Sequence, residues 1–489
     1  MALLLVLFSV ERIVSNKMKT IAIIAEYNPF HNGHAWQIET AKEETGADRC
    51  IVIMSPDYVQ RGEPAIIDKY TRTRMALSCG ADVVLELPVR YALASAQGFA
   101  RGGVGILNAL GCVDVLVFGC ETDAPALLDA AAGILVREPE GYRTILAQEL
   151  RKGVGFAAAR EKALLGYIRE GLFEENPFDP FGSNTTPLPI EALADALANG
   201  FLHQPNNILG LEYCIALQWM QSRIMPYAIR RRGAGYHDVS ASIETSPAYS
   251  GDEMNPSKVE MNPSKGLFLS ATGIRKMLRE KEAASPASSS ASAVSANPVL
   301  PAVPGQARSI LKTALKEKGV PSLQCYSTLL HYALLRCTFE DPCNLSDAPC
   351  EPDLLARICR LLPQYRDAAL FADDLTSRQF PLSTVNRALL RLFLGLSQKE
   401  CTPTDPAFPD AYVRILGFRK EVTSLLHELT RSSAVPVITK PAAAANMLNK
   451  KQLTGFEADV NASHLYQLLF QDRVKGIVSE YTRSPIIIT

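Results

Sequence analysis

From Thr20 onward, short apolar runs alternate with stretches of helical period. Residues 20–25 (TIAIIA), 50–54 (CIVIM), 82–87 (DVVLEL) and 113–118 (VDVLVF) are β-branched or leucine-rich runs of strand length. Between them, residues 34–44, 68–79 and 95–110 carry helical periodicity. Strand and helix in alternation predict an α/β domain of Rossmann-like topology, its parallel sheet wound by right-handed crossovers. Strands this continuously apolar require helices on both faces. After Glu121 the pattern turns mainly helical to about residue 198, crosses a loop rich in Asn and Pro, and offers one further strand at 226–232. Leucine-rich segments at 309–318, 354–362 and 384–396 predict an all-helical C-terminal domain ending in a short extended tail, 486–489.

Two stretches interrupt this pattern. Residues 246–265 contain EMNPSK twice, and residues 283–306 are dominated by Ala, Ser and Pro. Such compositions bury too little apolar surface to offset ordering entropy, so both are expected to be disordered. The apolar start, MALLLVLFSV, has no basic residue before it, lacks a cleavage signal, and falls short of the ~20 residues of a membrane span. Met18 directly precedes the first strand. The expected division is a leader or mis-assigned start at 1–17, an α/β domain at 18–282, a disordered linker at 283–308, and a helical domain at 309–489.

Composition narrows the class. With 47% hydrophobic and 21% charged residues the chain is a soluble globular protein, and its net charge of −1 means that any polyanion must be met by a local basic surface. From residue 301 onward 22 Lys and Arg face 18 Asp and Glu, which makes this half the expected side for a nucleic acid. Eleven cysteines, an odd number with no CxxC pair, fit a reduced, cytoplasmic setting. Cys337, Cys343, Cys350 and Cys359 match no metal-site spacing, and no protein metal site is expected. No membrane contact and no stable protein partner are evident.

The first strand runs straight into Glu26-Tyr27-Asn28-Pro29-Phe30-His31-Asn32-Gly33-His34, where a helix begins. A helix N-terminus favours an anion, Gly33 admits close approach, and two imidazoles can serve phosphate oxygens as charge develops on them. Histidines that only cap or pack beside the helix would look the same in sequence. Arg61, after the second strand, falls at the carboxyl edge of the sheet, within reach of a phosphate or a carboxylate. Asn206 and Asn207 offer donors and acceptors to a nucleotide, though asparagines favour turns for local reasons too. Ser270 to Lys276 (SATGIRK) sets hydroxyls and N–H groups at a helix start with Arg275 one turn on, an arrangement suited to β- and γ-phosphates. Asp68, Lys69, Arg72 and Arg74 read as a solvated charged face, with Lys69 and Arg72 as candidate phosphate or RNA contacts. There is no Walker A motif and no GxGxxG after the first strand, which disfavours P-loop and hydride chemistry.

The EYNPFHNGH run resembles the nucleotidyltransferases. Together with QRGEPA (60–65), FGCE (118–121), PNNILGLE (205–212) and YHD (236–238), it is similar to the bacterial tRNA(Met) cytidine acetate ligases, well from Met18 to about residue 281 and loosely beyond. The resemblance implies that ATP activates acetate as acetyl-adenylate and that the acetyl group passes to N4 of the wobble cytidine of elongator tRNA(Met), with Mg2+ accompanying the nucleotide. It implies His31, His34, Arg61 and Arg275 as catalytic groups, and an ATP site of Ile24, Ala25, the loop from Glu26 to His34, Gly119, Asn206, Asn207, Arg231 and Arg232. Arg232 stands where that family usually has an aliphatic residue. Two other readings stay open on residues alone, a small-molecule adenylyltransferase and a non-catalytic RNA-binding protein that senses nucleotide.

Overall fold

A computed structural model describes residues 18–121, 125–153, 155–171, 190–231, 269–284, 299–340, 350–396, 403, 405–408, 410–473 and 476–489. Residues 1–17, Arg232, residues 236–238, the duplicated stretch at 246–265, residues 285–298 and Cys343 lie outside them. Strand β1 (Thr20–Ala25) pairs in parallel with β2 (Arg49–Met54) on one side and β6 (Val115–Cys120) on the other. The hairpin β3 (Tyr58–Val59) and β4 (Glu63–Pro64) follows β2, and β5 (Val83–Glu86) extends the sheet beyond it. Strand β7 (Met225–Arg230) extends it beyond β6. Helices α1 (Asn32–Thr45), α2 (Lys69–Ser78) and α3 (Ala96–Leu110) make the crossovers. The alternation along β1 feeds two cores: Ala22 and Ile24 point into one, Ile21 and Ile23 into the other. The chain winds outward from β1 through β2 to β5, then jumps back to β6, so a crevice opens at the carboxyl ends of β1 and β6.

Further on lie α4 (Pro125–Arg137), α5 (Pro205–Trp219), α6 (Ala271–Ala284), α7 (Gly305–Glu317), α8 (Leu323–Glu340), α9 (Leu382–Leu394) and α10 (Lys450–Gln467). The Asn- and Pro-rich stretch expected as a loop is the start of α5, with Pro205 in its first turn, where the missing N–H costs nothing. Residues 299–308, expected within a disordered linker, are folded instead. Val299, Ala302 and Val303 have no exposed surface, because the apolar residues of VLPAV suffice to pack into the core beside β1.

The C-terminal part is mainly helical, as expected, but not all-helical. Strand β8 (Val413–Arg419) joins the sheet antiparallel to β5, and β9 (Val437–Ile438) and β10 (Ile486–Ile488) pair in parallel with β8. The reason is the edge of β5, whose unpaired backbone groups would otherwise face solvent. A buried ionic cluster seals the junction. Lys69 Nζ lies 2.6 Å from Glu86 and 3.0 Å from Glu480, and Arg414 bridges the same two carboxylates at 2.9 and 2.7 Å. None of the described helices is long and apolar enough to cross a membrane.

Candidate functional site

The chain leaves β1 through Tyr27, whose φ of +48° is left-handed, and enters α1 at His31. His31 is the N-cap: its Nδ1 accepts from the Gly33 N–H at 3.1 Å, and the His34 Nδ1 accepts from the His31 N–H at 3.3 Å. This reciprocal cap fixes both tautomers, because each Nδ1 is an acceptor and each proton therefore sits on Nε2. The rings stack with centroids 3.8 Å apart. Burial, then Arg231 and Arg275, pull the His31 pKa down to about 3. Burial, His31 and Arg231 likewise hold His34 well below its usual value. Both imidazoles are thus neutral near pH 7, each with one N–H to give.

These rings line a cavity of about 290 Å³ at the crevice between β1 and β6. At one wall α6 begins, with Ser270 Oγ accepting from the Gly273 N–H at 3.1 Å. Arg275 gives a hydrogen bond to the Asn28 carbonyl at 3.0 Å, and Glu63 links it to Arg279, at 3.1 and 3.0 Å. Glu63 and Arg61 sit on the β3–β4 hairpin, held by the C-terminal part at Gly62. There φ is +80° and an added Cβ would lie 2.5 Å from the Arg387 backbone nitrogen in α9. Glu26 accepts from the Gln60 N–H at 2.9 Å. Burial raises its pKa against the pull of Arg275 and Arg61.

Opposite, Gly119 leaves room for the Arg231 stem, 3.2 Å from where a Cβ would stand. Glu121 caps α5, accepting from the backbone N–H groups of Asn206 and Asn207 at 3.3 and 3.0 Å, a favourable place for a carboxylate. The structure therefore gathers Ile24, Ala25, Glu26, Tyr27, Asn28, His31, Gly33, His34, Arg61, Gly119, Asn206, Arg231 and Arg275 around one cavity.

Other expected members stand elsewhere. Phe30 is a core residue, its ring 4.7 Å from that of Tyr27. Asn32 donates outward to the Pro301 carbonyl at 3.0 Å, and Pro29 is not in the wall. Asn207 lies behind the wall, fully buried, accepting from the Glu121 N–H at 3.1 Å and donating to the Phe201 carbonyl at 3.0 Å. The expected tRNA contacts at Lys69 and Arg72 are corrected: both side chains have no exposed surface. Lys69 is spent on the ionic cluster. Arg72 donates to the backbone carbonyls of Ile67, Glu26, Ser55 and Pro56, so it ties the loop after β1 to the loop after β2.

Sequence reasoning missed Trp36, Gln37, Phe99 and Tyr213, which also line the cavity. Trp36 and Gln37 follow Gly33 by three and four residues and so share its helix face, a signal that was available. Phe99 and Tyr213 are apolar positions on α3 and α5 that read as ordinary core.

With this geometry in view, the chain matches the family model described as HIGH Nucleotidyl Transferase over residues 18–251 and 254–480. A tRNA(Met) cytidine acetate ligase of Halothermothrix orenii is 32% identical over 463 residues, covering 94% of this chain and 96% of that protein. One from Kosmotoga olearia is 32% identical over 467 residues, covering 93% and 96%. The crystal structure of Thermotoga maritima TmcAL superposes with a TM-score of 0.77 at 27% identity, covering 96% of this chain and all of that one. Its form bound with alpha-thio ATP gives 0.75 at the same identity.

Proposed function

This chain belongs to the HIGH nucleotidyl transferase family and, within it, to the tRNA(Met) cytidine acetate ligases, and we propose that it uses ATP to activate acetate and acetylates N4 of the wobble cytidine of elongator tRNA(Met). Acetate attacks the α-phosphorus, pyrophosphate leaves, and the N4 amine then attacks the mixed anhydride, releasing AMP. The observation that carries this reading is the pair of capped histidines. Two neutral imidazoles with fixed Nε2 protons, stacked at the N-terminus of α1, are donors aimed in advance at charge that grows on the α-phosphate. Their low pKa avoids adding cations beside Arg231 and Arg275 before the nucleotide arrives. Once it has arrived, the phosphate charge raises those pKa values and strengthens the same bonds.

Arg275, with the hydroxyls and N–H groups at the start of α6, holds the leaving pyrophosphate. Arg61 is the cation for the incoming carboxylate. Gly119, Arg231 and Asn206 take the nucleoside side. Mg2+ is suited to offsetting phosphate charge. The described residues contain no cluster of three or more metal-ligating side chains, so the ion fits as the counter-ion carried by the triphosphate, and Glu63 and Glu26 remain engaged with arginines and backbone. The net-positive C-terminal half meets the tRNA. ATP–pyrophosphate exchange tests the first step: exchange that requires acetate and proceeds without tRNA is expected, whereas exchange driven only by a phosphate ester overturns the reading.

A further inference from the structure

The cavity wall holds three buried polar atoms with no hydrogen-bond partner among the described residues: the Tyr27 hydroxyl, Asn28 Nδ2 and the Tyr213 hydroxyl. An unmet buried donor is costly, and in a binding site it marks where a ligand atom belongs. Tyr27 and Asn28 sit on the loop that leads to the His31 cap. Tyr213 sits elsewhere, on α5. It is 2% exposed, its ring centroid lies 5.6 Å from that of Phe118, and it shares one apolar core with Ile24 and Phe99.

The cavity therefore has two unlike halves. One, built by α1 and α6, presents His31, His34, Thr272 and Arg275. The other, built by α3 and α5, presents Ile24, Phe99, Phe118 and Leu209, and Tyr213 adds a hydroxyl to it. The first half carries the imidazoles, the hydroxyl and the guanidinium suited to a triphosphate, whereas none of the side chains named for the second half is charged. We propose that the second half is the subsite for the acyl substrate, a two-carbon carboxylate whose methyl group packs against Phe99 and Ile24 while the Tyr213 hydroxyl donates to one carboxylate oxygen. This rests on the acetate-activating reading above.

Acetate-dependent ATP–pyrophosphate exchange, with ATP affinity measured by calorimetry on the full chain, tests the assignment. Tyr213→Phe should raise the KM for acetate about tenfold while the Kd for ATP changes less than twofold. Phe99→Leu should raise the propionate-to-acetate ratio of kcat/KM about tenfold, the usual scale for one methylene in an apolar pocket. An unchanged acetate KM in Tyr213→Phe, an equal loss of ATP affinity, or an unchanged acid preference in Phe99→Leu would overturn the subsite alone. No acetate-dependent exchange in the unaltered protein would overturn both the subsite and the functional reading.

Discussion

At the scale of single residues, the proposed mechanism gives His31 and His34 two jobs that their sequence motif presented as alternatives. Their Nδ1 atoms cap α1, and in that mechanism their Nε2 protons serve the phosphate, so alanine would remove a cap as well as a donor. His34→Asn separates the two, since the amide oxygen can take the place of Nδ1 while nothing replaces Nε2. Acetyl-adenylate formation should fall by about 10²–10³ with little change in thermal midpoint, as stopped-assay kinetics and calorimetry would record. Protonation gives a second handle. The folded pKa of His31, about 3, lies below the unfolded value of about 6.5. The unfolded chain therefore binds the extra proton between those pH values, and stability rises with pH across that window and is flat above it. Urea unfolding from pH 4 to 8 should show that slope, and activity should persist as pH rises through 6.5. A rate that collapses there would mean that an imidazolium was required. The place of this pair, at the helix start and on the cavity wall, was legible in the sequence, because a His-x-x-His pair after a first strand is local. The burial of Lys69 and Arg72 was not, since the carboxylates and carbonyls that receive them come from distant segments.

At the scale of elements, strands β1, β2, β5 and β6 and helices α1 to α3 were readable within a few residues, because parallel strands and their covering helices each carry their own periodicity. Strand β8 escaped because its reason for being a strand is the edge of β5, over 300 residues earlier. The ionic cluster that joins them has a clear energetic consequence. Lys69→Met would leave Glu86, Glu480 and Arg414 buried with one cation missing, and breaking such a set costs about 3–5 kcal/mol. Denaturant titration should show a loss of that order, while tRNA affinity, once the variant is folded, stays unchanged. Burial alone would raise the Glu480 pKa, but Lys69 and Arg414 draw it down to about 2. Its contribution is therefore complete above about pH 4.5 and is lost as pH falls toward 2.

At the scale of the whole molecule, the two halves share one sheet, and α9 closes on the hairpin that carries Arg61 and Glu63. A fragment comprising residues 18–300 would expose the edge of β5 and the bare ends of the ionic cluster. Circular dichroism should find it unfolded or aggregated, and a stable fragment that still binds ATP would contradict the shared architecture. Charge separates the substrates: tRNA affinity should fall steeply with added salt and ATP affinity much less, because only the polynucleotide releases many counter-ions. The acetyl transfer itself has the most direct test. Unmodified elongator tRNA(Met) is incubated with the protein, ATP and carbon-13-labelled acetate, then digested to nucleosides for mass spectrometry. The account predicts N4-acetylcytidine carrying the labelled acetyl group, formed only when ATP and acetate are both present. Labelled tRNA formed without ATP, or no acetylcytidine under complete conditions, would contradict it.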